Sequence, residues 1–186
     1  MERDRAVDVR AALHAGGFVL LVGDSTAGKT RLAYEMMRTC LPRHHCVQPE
    51  NPDALPTAIT AAKRHRPSVL WLDDLERYLG TGGLTRTGIA DLTGSRCVVL
   101  ATMRAHERDD LSARHDPYRE AEGRQAARTG REVLAAVDRE IRLDRKWSDG
   151  ELDRARALAH DVRIAGALNG TDNHGLAEVM AAARSC

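Results

Sequence analysis

Residues 18–32 read FVLLVGDSTAGKTRL, and the fold turns on how the apolar run Phe18–Val22 gives way to GDSTAGKT and then to a helix. An unbroken apolar run closed by a glycine predicts a strand covered on both faces, as in a parallel sheet. From Thr30 to Leu41, the residues Leu32, Ala33, Met36, Met37 and Cys40 recur at helical intervals, and Pro42 ends the helix. Between the two, Gly23, Gly28, Lys29 and Thr30 satisfy G-x-x-x-x-G-K-[ST], a spacing that carries meaning in this strand–helix context. The glycines let successive backbone N–H groups turn toward one anion, and the helix aims its partial positive end at the same point. Lys29 is expected to reach the β- and γ-phosphates of a nucleotide, and the Thr30 hydroxyl to hold Mg²⁺. Gly23, Asp24, Ser25, Thr26, Ala27, Gly28, Lys29, Thr30 and Arg31 form the candidate binding segment.

Downstream, the same alternation continues. A short strand is expected at His45–Gln48, a helix from near Pro56 to Arg66, a buried strand at Val69–Leu72 and a helical turn at Leu75–Leu79. GTGG at 80–83 reads as a flexible connector, because no strand closely precedes it and no lysine follows. Leu84–Leu92 reads as a short helix and Cys97–Ala101 as another buried strand. The alternation predicts an α/β sandwich with a mainly parallel sheet.

From Ala105 to Gly130 the chain is polar and almost free of large apolar residues, which predicts a long excursion, either mobile or only partly helical. Val137, Ile141 and Leu143 suggest a last strand. Ser148 and Glu151 then make an S-x-x-E capping box, opening a helix with Leu152, Ala155, Leu158, Ala159 and Val162 on its apolar face. Two further helices are expected, one ending near Asn169 and Gly170, the other over Gly175–Ala183.

LWLDD at 70–74 completes the first motif. Two carboxylates at the tip of an apolar strand are costly unless a cation neutralises them, which places a metal beside Asp73. Asp73 is expected to hold Mg²⁺ together with Thr30, while Asp74 stands where an attacking water would be oriented. Glu76 reads either as a helper base or as a surface acid on the following turn. In GSRCVVLATMR, Thr102 is the candidate sensor of the γ-phosphate, and Arg104 either donates to the same phosphate or is a surface arginine at a strand end. Lys29, Asp74, Thr102 and Arg104 are thus the candidate catalytic set.

The remaining composition excludes other classes. Charged residues make up 30% of the 186-residue chain with a net charge of +1, so no polyanion-binding tail is present. Aromatic residues are 3% and are not interleaved with basic ones, which argues against nucleic-acid binding. The apolar runs are too short for a membrane helix and the first residues lack a signal-peptide core, so a cytoplasmic location is expected. Cys40, His44, His45 and Cys46 gather metal-ligand types in CLPRHHC, but zinc ligands usually come as separated pairs, and the thiols read as structural and reduced.

The three motif blocks, in this order, resemble the P-loop NTPases in which the sensor strand lies between the Walker A and Walker B strands. Within them the chain is similar to the STAND ATPases, relatives of AAA+ and NB-ARC modules, through hhhDD at 70–74 and GSRxxxxATMR at 94–104. GDSTAGKTRLAYE, LWLDDLERYLG and VVLATMRA are also similar to segments of large actinobacterial ATP-binding proteins that carry repeats.

The resemblance implies a three-layer nucleotide-binding domain over 1–146 and a small, incomplete, lid-like helical subdomain over 147–186. ATP and Mg²⁺ are the implied cofactors, with slow hydrolysis and use of the ATP or ADP state as a switch toward a protein partner, an effector domain or a nucleotide-dependent homo-oligomer. Two alternatives stand beside this reading. One is a small-molecule kinase, with residues 113–131 as an arginine-rich lid; the other is a nucleotide-binding module without turnover.

Overall fold

Parallel strands buried on both faces need helices above and below them. That is how the chain is built in the computed structural model, which describes residues 3–80, 82–113, 121–158, 160, 164, 165 and 168. In chain order the elements are α1 (Ala6–Ala15), β1 (Phe18–Gly23), α2 (Lys29–Cys40), β2 (His45–Val47), α3 (Leu55–Arg64), β3 (Ser68–Leu72), α4 (Arg86–Gly94), β4 (Cys97–Arg104), α5 (Ala105–Ser112), α6 (Ala121–Leu134), β5 (Arg139–Leu143) and α7 (Asp149–Arg156). Single 3-10 turns occupy Pro52–Ala54 and Leu75–Tyr78.

The strands form one five-stranded sheet in the order β2-β3-β4-β1-β5, and every pairing is parallel. β4 lies between β1 and β3, the placement the resemblance implies. Register aligns Leu21 with Thr102 and Gly23 with Arg104, and Leu72 with Ala101. The C-terminal ends of β1, β3 and β4 therefore open on one edge of the sheet, where Gly23, Asp73 and Thr102 all emerge. Ligands of open parallel sheets bind at such carboxyl ends.

Side chains of each strand alternate between two apolar layers. Val19 and Leu21 of β1 pack with α1 and α2 through Val9, Leu13, Leu32 and Met36. Phe18, Leu20 and Val22 face the opposite layer, with Leu55, Ala62, Leu92 and Val133 from α3, α4 and α6. No helix among the described residues is long and apolar enough to cross a membrane.

The structure sharpens one expectation and corrects another. The stretch 105–130 is mainly helical where described: α6 buries Ala127 and Val133, and its Gly130 lies close to Leu111 and Leu79. Its buried stripe is built from small residues, which give little apolar signal in sequence. The helix opening at Ser148 does carry the full capping box, but it buries Glu151 and Ala155, whereas Leu158 is 37% exposed. Ala159 and Val162, and the helices expected to end near Asn169–Gly170 and to span Gly175–Ala183, lie outside the described residues.

α1 has no counterpart in the sequence reading. It buries Ala6, Val9, Ala12 and Leu13 and closes at Gly16, whose N–H bonds the carbonyls of Ala12 and Leu13.

Candidate functional site

The loop from Gly23 to Thr30 joins the centre of the sheet to α2. Gly23 is required by close approach: a Cβ there would sit 2.6 Å from the Leu143 carbonyl oxygen of β5. Gly28 is required by conformation, with φ at +85° just before the helix, and Thr26 shares the left-handed region at φ 65°. Ala27 is fully buried in the α1–α2 layer and anchors the loop from beneath, while Asp24, Ser25, Thr26 and Thr30 are exposed at its mouth.

No side chain caps the N-terminus of α2, whose N-cap residue is Gly28. The first N–H groups of a helix have no partner within it, so this end of α2 offers donors and a partial positive charge to an anion. Lys29 is 7% exposed. Its Nζ donates to the carbonyls of Gly23 and Asp24, at 2.8 Å each. Burial lowers the Lys29 pKa, against the opposing pull of the Asp74, Glu76 and Asp73 carboxylates that face it.

Across the mouth, Asp73 collects two hydroxyls on one oxygen. Thr30 Oγ1 donates to Asp73 Oδ1 at 2.9 Å and Thr102 Oγ1 donates to it at 2.6 Å. The buried Thr102 hydroxyl also accepts the Asp74 N–H at 3.1 Å. Asp74 itself is left-handed, with φ at 55°. A non-glycine residue in that region stores strain that its surroundings must hold, and here the Thr102 bond does part of the holding. Thr102 thus touches the two acids rather than the loop.

Glu76 and Arg104 complete the rim. Arg104 Nε lies 3.7 Å from Glu76 Oε1, and the second Glu76 oxygen is buried without a hydrogen-bond partner. Burial raises the Glu76 pKa, with the like charges of Asp74 and Glu107 adding to it, while the residue's own backbone N–H and then Arg104 oppose the rise. Arg31 pairs instead with Glu35 one turn along α2 at 2.8 Å, on the exposed side of the helix.

No family model matches the sequence, and no curated protein matches it. The site must therefore be read from its own chemistry. Hard oxygen donors from Thr30 and Asp73 meet across the loop mouth, a donor set suited to a small divalent cation such as Mg²⁺. Amide donors and a buried ammonium on the other side suit an anion. Among the described residues there is no group of three or more His, Cys, Asp and Glu side chains placed to hold a metal, which includes the CLPRHHC segment. Cys40, Cys46 and Cys97 are free thiols.

Arg3 is the residue the sequence reading missed. It is 9% exposed and its guanidinium lies 5.1 Å from the Trp147 ring centroid. Its Nη1 donates to the Ala27 carbonyl of the loop at 2.8 Å and its Nη2 to the Asp144 carbonyl at 2.9 Å. Its Nε donates to Glu151 Oε1 at 2.7 Å, and Glu151 is 3% exposed. Glu151 also accepts the N–H groups of Asp4 and Ser148. One arginine thus ties the glycine loop, the end of β5 and the start of α7 together.

Proposed function

We propose that the chain is an ATP-binding, Mg²⁺-dependent P-loop NTPase of the STAND and AAA+ group, working as a slow nucleotide switch. The observation that carries this reading is the joining of Thr30, Asp73 and Thr102 through a single carboxylate oxygen at the mouth of the Gly23–Thr30 loop. Such a loop and such a carboxylate are the two halves of a site for a phosphate-bound metal. Asp73 and Thr30 would hold the Mg²⁺, which when bound neutralises charge on the phosphates.

Within this reading, Lys29 exchanges its bonds to the Gly23 and Asp24 carbonyls for phosphate oxygens. The free N–H groups of the α2 terminus bind the same anion. Asp74 orients water, held by its N–H on Thr102, and Thr102 acts by positioning both acids. Arg104 responds to the terminal phosphate. Turnover is slow because phosphoryl transfer depends on positioning, and the residue after Asp73 is Asp74 in place of the longer glutamate usual in the group this reading names. In this reading residues 1–146 bind the nucleotide and residues 147–186 receive the change of state, for a protein partner or a second copy of the chain.

The kinase alternative is weakened by α6. In the described part of its candidate lid, Ala127 is buried and Gly130 packs close to Leu111 and Leu79, so this segment is held in the helical layer. The reading is tested by incubating the protein with Mg²⁺ and ATP, following nucleotide binding by calorimetry and phosphate release in the same samples. Micromolar binding with release slower than about one turnover per second, the lower end of common enzyme rates, is the expected result. Phosphate transfer to an added nucleoside or metabolite would favour the kinase, binding without release a module without turnover, and absence of binding would overturn the reading.

A further inference from the structure

Glu76 is a group the proposed function leaves without a task. Its side chain is 17% exposed, and one of its two carboxylate oxygens is buried with no partner. Buried polar atoms are nearly always hydrogen-bonded, to protein or to an ordered water, so an orphaned carboxylate oxygen beside the candidate phosphate loop marks a position for a water. The other oxygen faces Arg104 at 3.7 Å, beyond normal hydrogen-bond range, which makes a loose pair that either partner can leave.

We propose that Glu76 is the proton acceptor for the attacking water, and that Arg104 exchanges the Glu76 carboxylate for the terminal phosphate as the reaction proceeds. The proposal rests on the reading of the loop as an ATP site. The water oxygen bonds to the γ-phosphorus while the bond from that phosphorus to the β,γ-bridging oxygen breaks. The electron pair of that bond leaves with ADP. The water proton passes to the unpartnered Glu76 oxygen and then to bulk solvent as inorganic phosphate departs.

Asp74 is less suited to receive the proton. It is the carboxylate that acts most strongly on the Lys29 ammonium, so its side chain is engaged at the phosphate loop. Its N–H is committed to Thr102 at 3.1 Å, so it orients while Glu76 accepts. The groups facing Glu76 are Asp74 on its own turn, Arg104 on β4, Glu107 on α5 and Lys29 on α2. Burial and the two neighbouring acids move its proton affinity upward, toward the range where a general base is effective. Because a base acts deprotonated, the rate should rise with pH through the Glu76 titration.

The test compares wild type, Glu76→Gln and Asp74→Asn in Mg²⁺–ATP binding, steady-state phosphate release and its pH profile. Glu76→Gln keeps shape and removes the proton acceptor, so kcat should fall by about 100-fold or more, with KM for ATP unchanged and the acidic limb of the profile gone. Asp74→Asn should lower kcat less and keep that limb. A Glu76→Gln enzyme with wild-type kcat and limb, or a wild-type protein that binds ATP and never releases phosphate, would overturn this role while leaving the nucleotide site standing. Failure of wild type to bind ATP would instead remove the site itself, and the role with it.

Discussion

An Arg3→Met protein is expected to lose about 3 kcal/mol of stability, because removing one partner of a buried ion pair leaves the other charge uncompensated. For a chain of this size that lowers the melting temperature by about 6–12 °C. The buried partner is Glu151, which keeps the N–H groups of Asp4 and Ser148 after the change, so the loss falls at the lower end for buried pairs. A second substitution separates charge from packing. Glu151→Gln in the Arg3→Met background removes the orphaned charge and preserves the side-chain volume, so the double variant should melt above the single one. Equal melting temperatures for the two would show that the contact with Trp147 and the loop carbonyl, rather than the ion pair, carries the effect. Since Arg3 also holds the Ala27 carbonyl at 2.8 Å, Arg3→Met should weaken nucleotide binding as well as stability.

The second large effect is expected at Lys29. Hydrogen bonds to charged groups contribute about 1.5–3 kcal/mol, and each 1.4 kcal/mol is about tenfold in affinity, so Lys29→Met should bind ATP about 10- to 100-fold more weakly. Methionine retains the buried stem and removes only the ammonium, and of its two carbonyl partners that of Asp24, an exposed residue, can turn to water. Circular dichroism and a melting temperature near the wild-type value would show that the loss belongs to the site. AMP, which lacks the β- and γ-phosphates, should bind both proteins equally.

Much of this site was legible because the sheet is parallel. Continuous apolar runs at Phe18–Val22, Val69–Leu72 and Cys97–Ala101 have only one comfortable home, a strand buried on both faces, and their polar successors must then emerge at one edge. The meeting of Thr30, Asp73 and Thr102 follows from that geometry. α1 was within reach: Val9, Ala12 and Leu13 recur at helical spacing and Gly16-Gly17 stops them, but the charged start MERDRAVDVR masks the pattern.

α6 was harder to see, since Ala127 and Gly130 give a helix face that packs closely without looking apolar. Arg3 and Glu151 were out of reach altogether. They stand 148 residues apart, and no local pattern joins them or sets Arg3 apart from the many exposed charges of this chain. Even the capping box at Ser148 pointed to the helix start and not to the second use of Glu151, as the counter-ion beneath the loop.

The central claim is that the loop and the Asp73 carboxylate share one divalent cation with a nucleotide. It is tested most directly by melting wild type and Asp73→Asn with ATP, in Mg²⁺ and again in EDTA. Ligand at a hundred times its dissociation constant adds about 2.7 kcal/mol, or about 5–10 °C for a chain of this size. Wild type should gain that stabilisation in Mg²⁺ and lose most of it in EDTA, while Asp73→Asn should respond equally weakly in both. A wild-type protein indifferent to Mg²⁺ and ATP, or an Asp73→Asn protein with the full Mg²⁺ response, would contradict the account.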